Sequence, residues 1–257
     1  MANPIAAGFY SVAVLAGMLL LLEIGRRIGL KRIARDPKAG KGLGTLKGTV
    51  FGLTSLILAF SFSGALSRYD YRRQLIVQES NAIGTAYLRV DLLPAESQPA
   101  MRDMFRAYAD SRIEVYRRLP DVAAAREELA RSQELQNKIW AAAVVACRGG
   151  SSPAVPMLVL TSLNEMIDIT STRTLAAISH PPSVIFVMIF LLLLASALIG
   201  GVDMATFKGT AWPNQLAFAL ILALTAWVIM EIEFPRMGVI RLDAFDQILV
   251  DARQAMQ

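Results

Sequence analysis

Four uncharged stretches break up an otherwise mixed chain. Residues 4–22, 48–66, 183–202 and 214–230 contain no Asp, Glu, Lys or Arg, and each is 17 to 20 residues long. The last is extended by Ala211, Trp212 and Pro213 just before it. A helix needs about 20 apolar residues to cross a hydrocarbon core about 30 Å thick, at about 1.5 Å of rise per residue. In lipid every backbone N–H and C=O must find its partner within the segment, so stretches of this kind are expected to be helices. A membrane β-barrel would alternate polar and apolar positions, and no such alternation is present. The pattern predicts an all-α integral membrane protein with four transmembrane helices in two pairs. A helical extramembrane domain intervenes between the pairs.

The second helix meets no breaker after Leu66 until Pro94, so it is expected to leave the membrane as one long rod. Beyond Pro94, Ser97 is placed to cap a helix reaching about Leu119, with Met101, Met104, Phe105, Tyr108 and Val115 on its apolar side. On its exposed side Arg106 is expected to pair with Asp110, and Glu114 with Arg118, each i,i+4. Pro120 separates the next helix, for which Asp121 is the expected N-cap and Gly149 the stop. A further helix runs to about Ser179, and His180-Pro181-Pro182 opens the third membrane helix. The expected organisation is a first transmembrane pair over residues 1–66 and a helical domain over 67–182. A second pair follows over 183–232, with a helical tail over 233–257.

Composition agrees with a membrane assignment: 54% of residues are hydrophobic and only 18% charged. The net charge of +5 would suit nucleic acid, but its distribution does not. Residues 23–47 hold eight Lys/Arg against Glu23 and Asp36, whereas residues 67–182 hold fourteen against thirteen acids. The excess therefore sits beside the membrane, where it meets anionic headgroups and sets orientation. A short loop this basic is expected to be cytoplasmic. That would place both termini and the 67–182 domain on the periplasmic side of a bacterial inner membrane. The basic residues follow the first apolar run instead of preceding it, so that run reads as a retained helix and not as a signal peptide.

Little in the chain points to catalysis. One histidine and one cysteine exclude a multi-Cys or multi-His metal site, and no phosphate-cradling or nucleophile-elbow motif occurs, so no metal and no cofactor is expected. Glu165 and Asp168 share a helical face and are expected to be solvated or to pair with Arg173. Arg68, Asp70, Arg72 and Arg73 cluster where helix 2 leaves the membrane. The three arginines would either snorkel from the interface or, in a symmetric oligomer, form a positive ring. Within helix 2, Ser55, Ala59 and Ser63 recur at i, i+4 and i+8 as a small, weakly polar stripe. Such a stripe suits close helix packing or the lining of a narrow aqueous path. Gly44, Gly48 and Gly52, also four apart, suit a tight helix crossing.

Three segments, in order, resemble the bacterial bestrophin-like membrane family and, more distantly, the bestrophin ion channels. They are LAFSFSGALSRYDYRR (58–73), followed by DLLPAE (91–96); LNEMIDITSTRTLAAISHPP (163–182); and EIEFPRMGVIRLDAF (231–245). ESNAIGTAYLR (79–89) adds to the likeness with the bacterial group. The resemblance implies a homopentamer passing small ions along helix 2, through a neck of bulky apolar residues four apart. Counting back from Tyr69, the neck positions fall on Ser55, Ala59 and Ser63, which are small, so a gate that works by dewetting would be weak here. The acidic run that binds calcium after helix 4 in animal bestrophins is missing, with Glu231, Glu233, Asp243 and Asp246 the nearest acids. Bestrophins keep the helical domain cytosolic, against the orientation that the basic loop favours. The contrasting expectation is a non-conducting membrane scaffold or sensor whose helical domain binds a partner.

Overall fold

The computed structural model describes residues 4–35, 44–149, 152–206 and 212–256, and among them eight α-helices. These are α1 (Pro4–Arg35), α2 (Gly44–Leu88), α3 (Gln98–Arg117), α4 (Val122–Arg148), α5 (Ala154–Ile178), α6 (Ser183–Met204), α7 (Trp212–Glu233) and α8 (Asp243–Gln254). A 3-10 turn, Arg89–Leu92, follows α2. The chain forms two compact units: residues 1–67 with 180–234, and residues 68–179 with 235–257. The C-terminal tail thus packs with the second unit.

The first unit is built on α1, α6 and α7. On α1, Val14, Met18 and Leu22 are buried at four-residue spacing, against Ile189, Leu193 and Ala197 of α6 and the alanines 219, 223 and 226 of α7. Glycine brings α1 and α6 together. A Cβ built on Gly25 would lie 2.1 Å from the Leu198 carbonyl oxygen, and one on Gly201 would lie 2.1 Å from that of Leu22. No side chain fits there, so the two backbones touch directly, the arrangement that small residues permit where no hydrophobic effect drives helices together. Thr54 of α2 and Ser196 of α6 share a buried hydrogen bond of 2.9 Å.

Gly44, Gly48 and Gly52 have nothing within 4 Å of a built Cβ among the described residues. Among the described residues three stretches are long and apolar enough to cross a membrane, within Gly44–Leu92, Ala154–Met204 and Trp212–Glu233. The 4–22 run begins in residues whose side chains lie outside those described. Large apolar side chains such as Val12, Phe60, Leu191 and Ile221 are exposed on this unit, as suits a surface facing lipid.

The second unit is a helical domain with an ordinary core: Ile83, Tyr87, Phe105, Tyr108, Ile139, Leu163, Met166 and Leu249. The apolar side expected of α3 is present, with Met101, Phe105, Tyr108 and Val115 buried and Met104 half-buried. Its surface ion pairs differ from expectation. Arg106 pairs with Asp103, and Arg117 with Glu114, both i,i+3, while Asp110 is taken by Arg253 of α8. Ser97 occupies the N-cap position of α3, but its hydroxyl donates to the Pro94 carbonyl instead of accepting from the helix.

Asp121 caps α4 as expected. Its Oδ1 accepts from the backbone N–H of Ala123 at 3.0 Å and of Ala124 at 3.1 Å. Asp121→Ala is therefore expected to cost about 1 kcal/mol. Faster amide exchange confined to the first turn of α4, with the rest of the unit unchanged, would register it.

Candidate functional site

Within the first unit, α2 turns one face inward and leaves the other bare. Thr54, Leu58 and Ala65 are buried, at the spacing of one helical side. Ser55, Ala59 and Ser63 are all exposed, and with Gly48 and Gly52 they form a separate row along the helix. The stripe foreseen from sequence therefore exists as a surface of the single chain, small and weakly polar, flanked by exposed Leu56 and Phe60. The structure does not pack it against another part of the described chain.

The four residues grouped at the exit of α2 behave differently from one another. Arg73 pairs with Asp70 at 3.0 Å and lays its guanidinium over the Phe245 ring, 4.2 Å from the centroid. Arg68 is half-buried. Arg72 is buried, and its Nε and Nη2 donate to the carbonyls of Ala176 and Ser179, each at 3.0 Å. Those carbonyls end α5, where helical acceptors have no intrahelical partner and the macrodipole favours a cation. Arg72 thus supplies α5 with a C-terminal cap, in place of a charge turned to solvent.

The most densely interacting polar group in the second unit was not foreseen. Glu79 of α2 and Arg112 of α3 are fully buried, and Arg173 of α5 nearly so. Arg112 Nε donates to Glu79 Oε1 at 2.5 Å, and Arg173 Nη1 donates to the other oxygen. Arg173 Nη2 reaches Asp246 of α8 at 2.8 Å, and Asp246 also accepts both terminal nitrogens of Arg236, at 2.7 and 3.0 Å. Tyr116 lies at the centre: the guanidinium carbons of Arg173, Arg236 and Arg112 stand 3.6, 4.6 and 5.3 Å from its ring centroid. Arg112 Nη2 donates to the Tyr116 hydroxyl at 2.8 Å. Three cations and two carboxylates thereby tie α2, α3, α5 and the tail through one aromatic ring.

Burial alone would raise the Glu79 carboxyl, but the Arg112 and Arg173 charges outweigh it and hold the group below the usual carboxylate range. Each of its oxygens accepts from a guanidinium, and the side chain is fully buried. The cluster is built to hold helices in place. Beside it Tyr108 shares a 2.8 Å hydrogen bond with Thr170, and Gln136 Nε2 donates to the Tyr108 hydroxyl at 2.9 Å. Burial pushes the Tyr108 phenol up to about 12, with the Arg112 charge opposing.

Arg173 is thus engaged by Glu79 and Asp246, and Glu165 and Asp168 lie on the exposed side of α5. The solvated face expected of those two acids is present, and the pairing with Arg173 is not. In the first unit His180 Nδ1 is 2.9 Å from Glu233 Oε1, and its ring lies 4.3 Å from that of Phe234. Among the described residues no group of three His, Cys, Asp or Glu side chains is placed to hold a metal ion.

The model of the bestrophin-like domain matches residues 11–244, nearly the whole chain. The chain belongs to the bestrophin-like family. Its fold is that of crystallised bestrophin homologues. One variant of a bacterial bestrophin homologue from Klebsiella pneumoniae superposes with a TM-score of 0.67 at 15% identity, covering 92% of this chain and 98% of that one. A second variant of the Klebsiella homologue gives 0.69 at 14% identity, over 95% and 98%. A crystal structure described as a membrane protein gives 0.68 at 14%, over 94% and 96%. No curated protein matches the chain. The bestrophin-like match bears out the resemblance carried by the three sequence segments. At such low identity the structural likeness is one of fold.

Proposed function

We propose that the chain assembles as a homo-oligomer, a pentamer on the bestrophin pattern, in which α2 helices from neighbouring copies line a path for small ions. The observation that carries this reading is the bare face of α2. Ser55, Ala59 and Ser63 with Gly48 and Gly52 form a continuous small-residue surface that the described residues leave uncovered. An uncovered weakly polar stripe on an otherwise apolar membrane helix needs either another copy or water against it. On the bestrophin pattern this helix would stand on the oligomer axis. Arg68, Asp70 and Arg73 would then stand near the mouth of the path, while Arg72 secures α5.

In this reading α1 supplies the fourth crossing and the basic 23–47 segment, helical as far as Arg35, stays in the cytoplasm. The helical domain then lies in the periplasm, and the bacterial inner membrane is the site of action. Reporter fusions at Gln257 and Gly150 test the orientation: a reporter active only in the cytoplasm should be silent at both.

Purified protein in liposomes is expected to pass monovalent ions, and Ser63→Trp to lower the flux at least tenfold, because an indole on each copy would fill a narrow axial path. A silent wild-type oligomer would favour the scaffold or sensor reading and overturn the ion path. A monomeric mass in detergent and in lipid would overturn it as well, since one α2 cannot enclose a pore.

A further inference from the structure

α1 continues well past its apolar run. The uncharged stretch ends at residue 22 and the helix at Arg35. Those thirteen residues extend the helix by about 20 Å. One side of this extension is fixed: Gly25 and Gly29 are buried against Leu198 and Val202 of α6.

The other side is bare and patterned. Arg27, Lys31 and Arg35 are exposed at i, i+4 and i+8, and Ile24 and Ile28, each 39% exposed, form a parallel row beside them. Arg27 is already paired with Glu23 at 2.8 Å, which leaves Lys31 and Arg35 as the outward charges of the row.

An exposed cationic row alone would suit any acidic surface. Isoleucines interleaved with it narrow the choice: a nucleic acid offers nothing to cover them, and the row continues a helix that already runs through an apolar, membrane-length stretch. A bilayer offers both layers in the required order, acyl chain first and then phosphate. Lys31 starts about 14 Å beyond residue 22, and Cα–Cβ bonds tilt towards the helix N-terminus, so its ammonium is carried back towards the headgroup layer. Aliphatic stems lying on apolar surface with charged ends at phosphate depth is the usual arrangement of interfacial lysine and arginine.

We infer that this face of α1 binds the phosphate groups of anionic phospholipids, with Lys31 and Arg35 as its principal cations and Ile24 and Ile28 seated in the adjoining acyl region. The inference rests on α1 crossing the membrane. Each cation near an anionic surface strengthens binding about fivefold at moderate salt.

The test uses the full chain reconstituted in mixed phosphatidylcholine and phosphatidylglycerol vesicles, re-extracted in mild detergent, with the co-purifying lipid quantified by mass spectrometry. Wild type is expected to retain phosphatidylglycerol several-fold above its bulk share, less so in high salt. Lys31→Gln with Arg35→Gln is expected to lose that excess. The charge-conserving Lys31→Arg with Arg35→Lys should keep it, as should Lys138→Gln in the second unit. No enrichment in wild type, or equal enrichment in the double glutamine variant, would overturn the inference. If the double variant does not fold, loss of enrichment in the charge-conserving variant would overturn it instead. Val12→Cys separates the two readings. Labelling there by a membrane-impermeant maleimide removes the crossing and the inference together. Protection there without lipid preference removes the inference alone.

Discussion

Glu79→Gln is expected to destabilise the helical unit by roughly 3–5 kcal/mol, the usual cost of removing one partner from a buried ion pair. Glutamine keeps the shape of the side chain, so no cavity contributes to the loss. What changes is charge. Arg112 loses its carboxylate while remaining fully buried, and Arg173 keeps only Asp246. The matched control is Glu114→Gln, which breaks a 3.1 Å pair with Arg117 on the exposed side of α3. That change should stay within about 0.5 kcal/mol, because exposed pairs are screened and entropically costly. Thermal unfolding in detergent, read by protease resistance of residues 68–179, would separate the two. Equal effects would sink the claim that the cluster holds the unit together.

The same cluster sets a pH dependence. Because the folded Glu79 carboxyl sits below its ordinary range of about 4.3, its contribution is complete at neutral pH and lost as pH falls through the depressed folded value. Glu79→Gln should remove that part of the acid sensitivity. Tyr108 works in the opposite direction: raised to about 12 from 10, it contributes below pH 10 and is lost as pH climbs from 10 through 12.

Much of the helical framework was legible because prolines, capping residues and uncharged runs act locally. Asp121 capped α4 and Pro94 ended the long α2 region for reasons contained in a few neighbouring residues. The charge cluster depends on helices far apart in sequence, yet it left a trace. Arg112 follows Met101, Phe105 and Tyr108 along the buried row of α3, and Arg173 follows Val159, Leu163, Met166 and Thr170 along that of α5. Glu79 lies between Ile76 and Ile83 on the buried row of α2. A charge of one sign on two apolar rows and of the opposite sign on a third is a readable signal of an internal ion network. The i,i+4 rule could not show that Asp110 would be drawn to Arg253 of α8, since helix-surface pairs yield to any tertiary partner that comes closer.

Glycine spacing has a related limit. Gly44, Gly48 and Gly52 form the more conspicuous repeat, but the close crossing uses Gly25 and Gly29 on α1 with Gly201 on α6. Spacing shows where a backbone can be approached, and only the fold shows which approach occurs. Gly201→Ala is therefore expected to cost at least 1–3 kcal/mol, because its methyl would stand 2.1 Å from the Leu22 oxygen and 2.8 Å from the Leu22 carbonyl carbon. Both atoms are backbone, so no rotamer relieves the overlap. The helices must separate, which also opens the contacts at Gly25 and Gly29. Gly48→Ala provides the contrast: among the described residues nothing lies within 4 Å of a built Cβ there, and alanine favours a helix by about 1 kcal/mol. If the isolated chain is all that matters, Gly48→Ala should be neutral or stabilising while Gly201→Ala lowers the melting temperature. If a second copy covers the bare face of α2, Gly48→Ala should weaken the oligomer and leave the monomer's helicity intact. Size-exclusion mass and circular dichroism on the two variants distinguish these outcomes, and a Gly201→Ala protein as stable as wild type would show that α1 and α6 do not meet through their backbones.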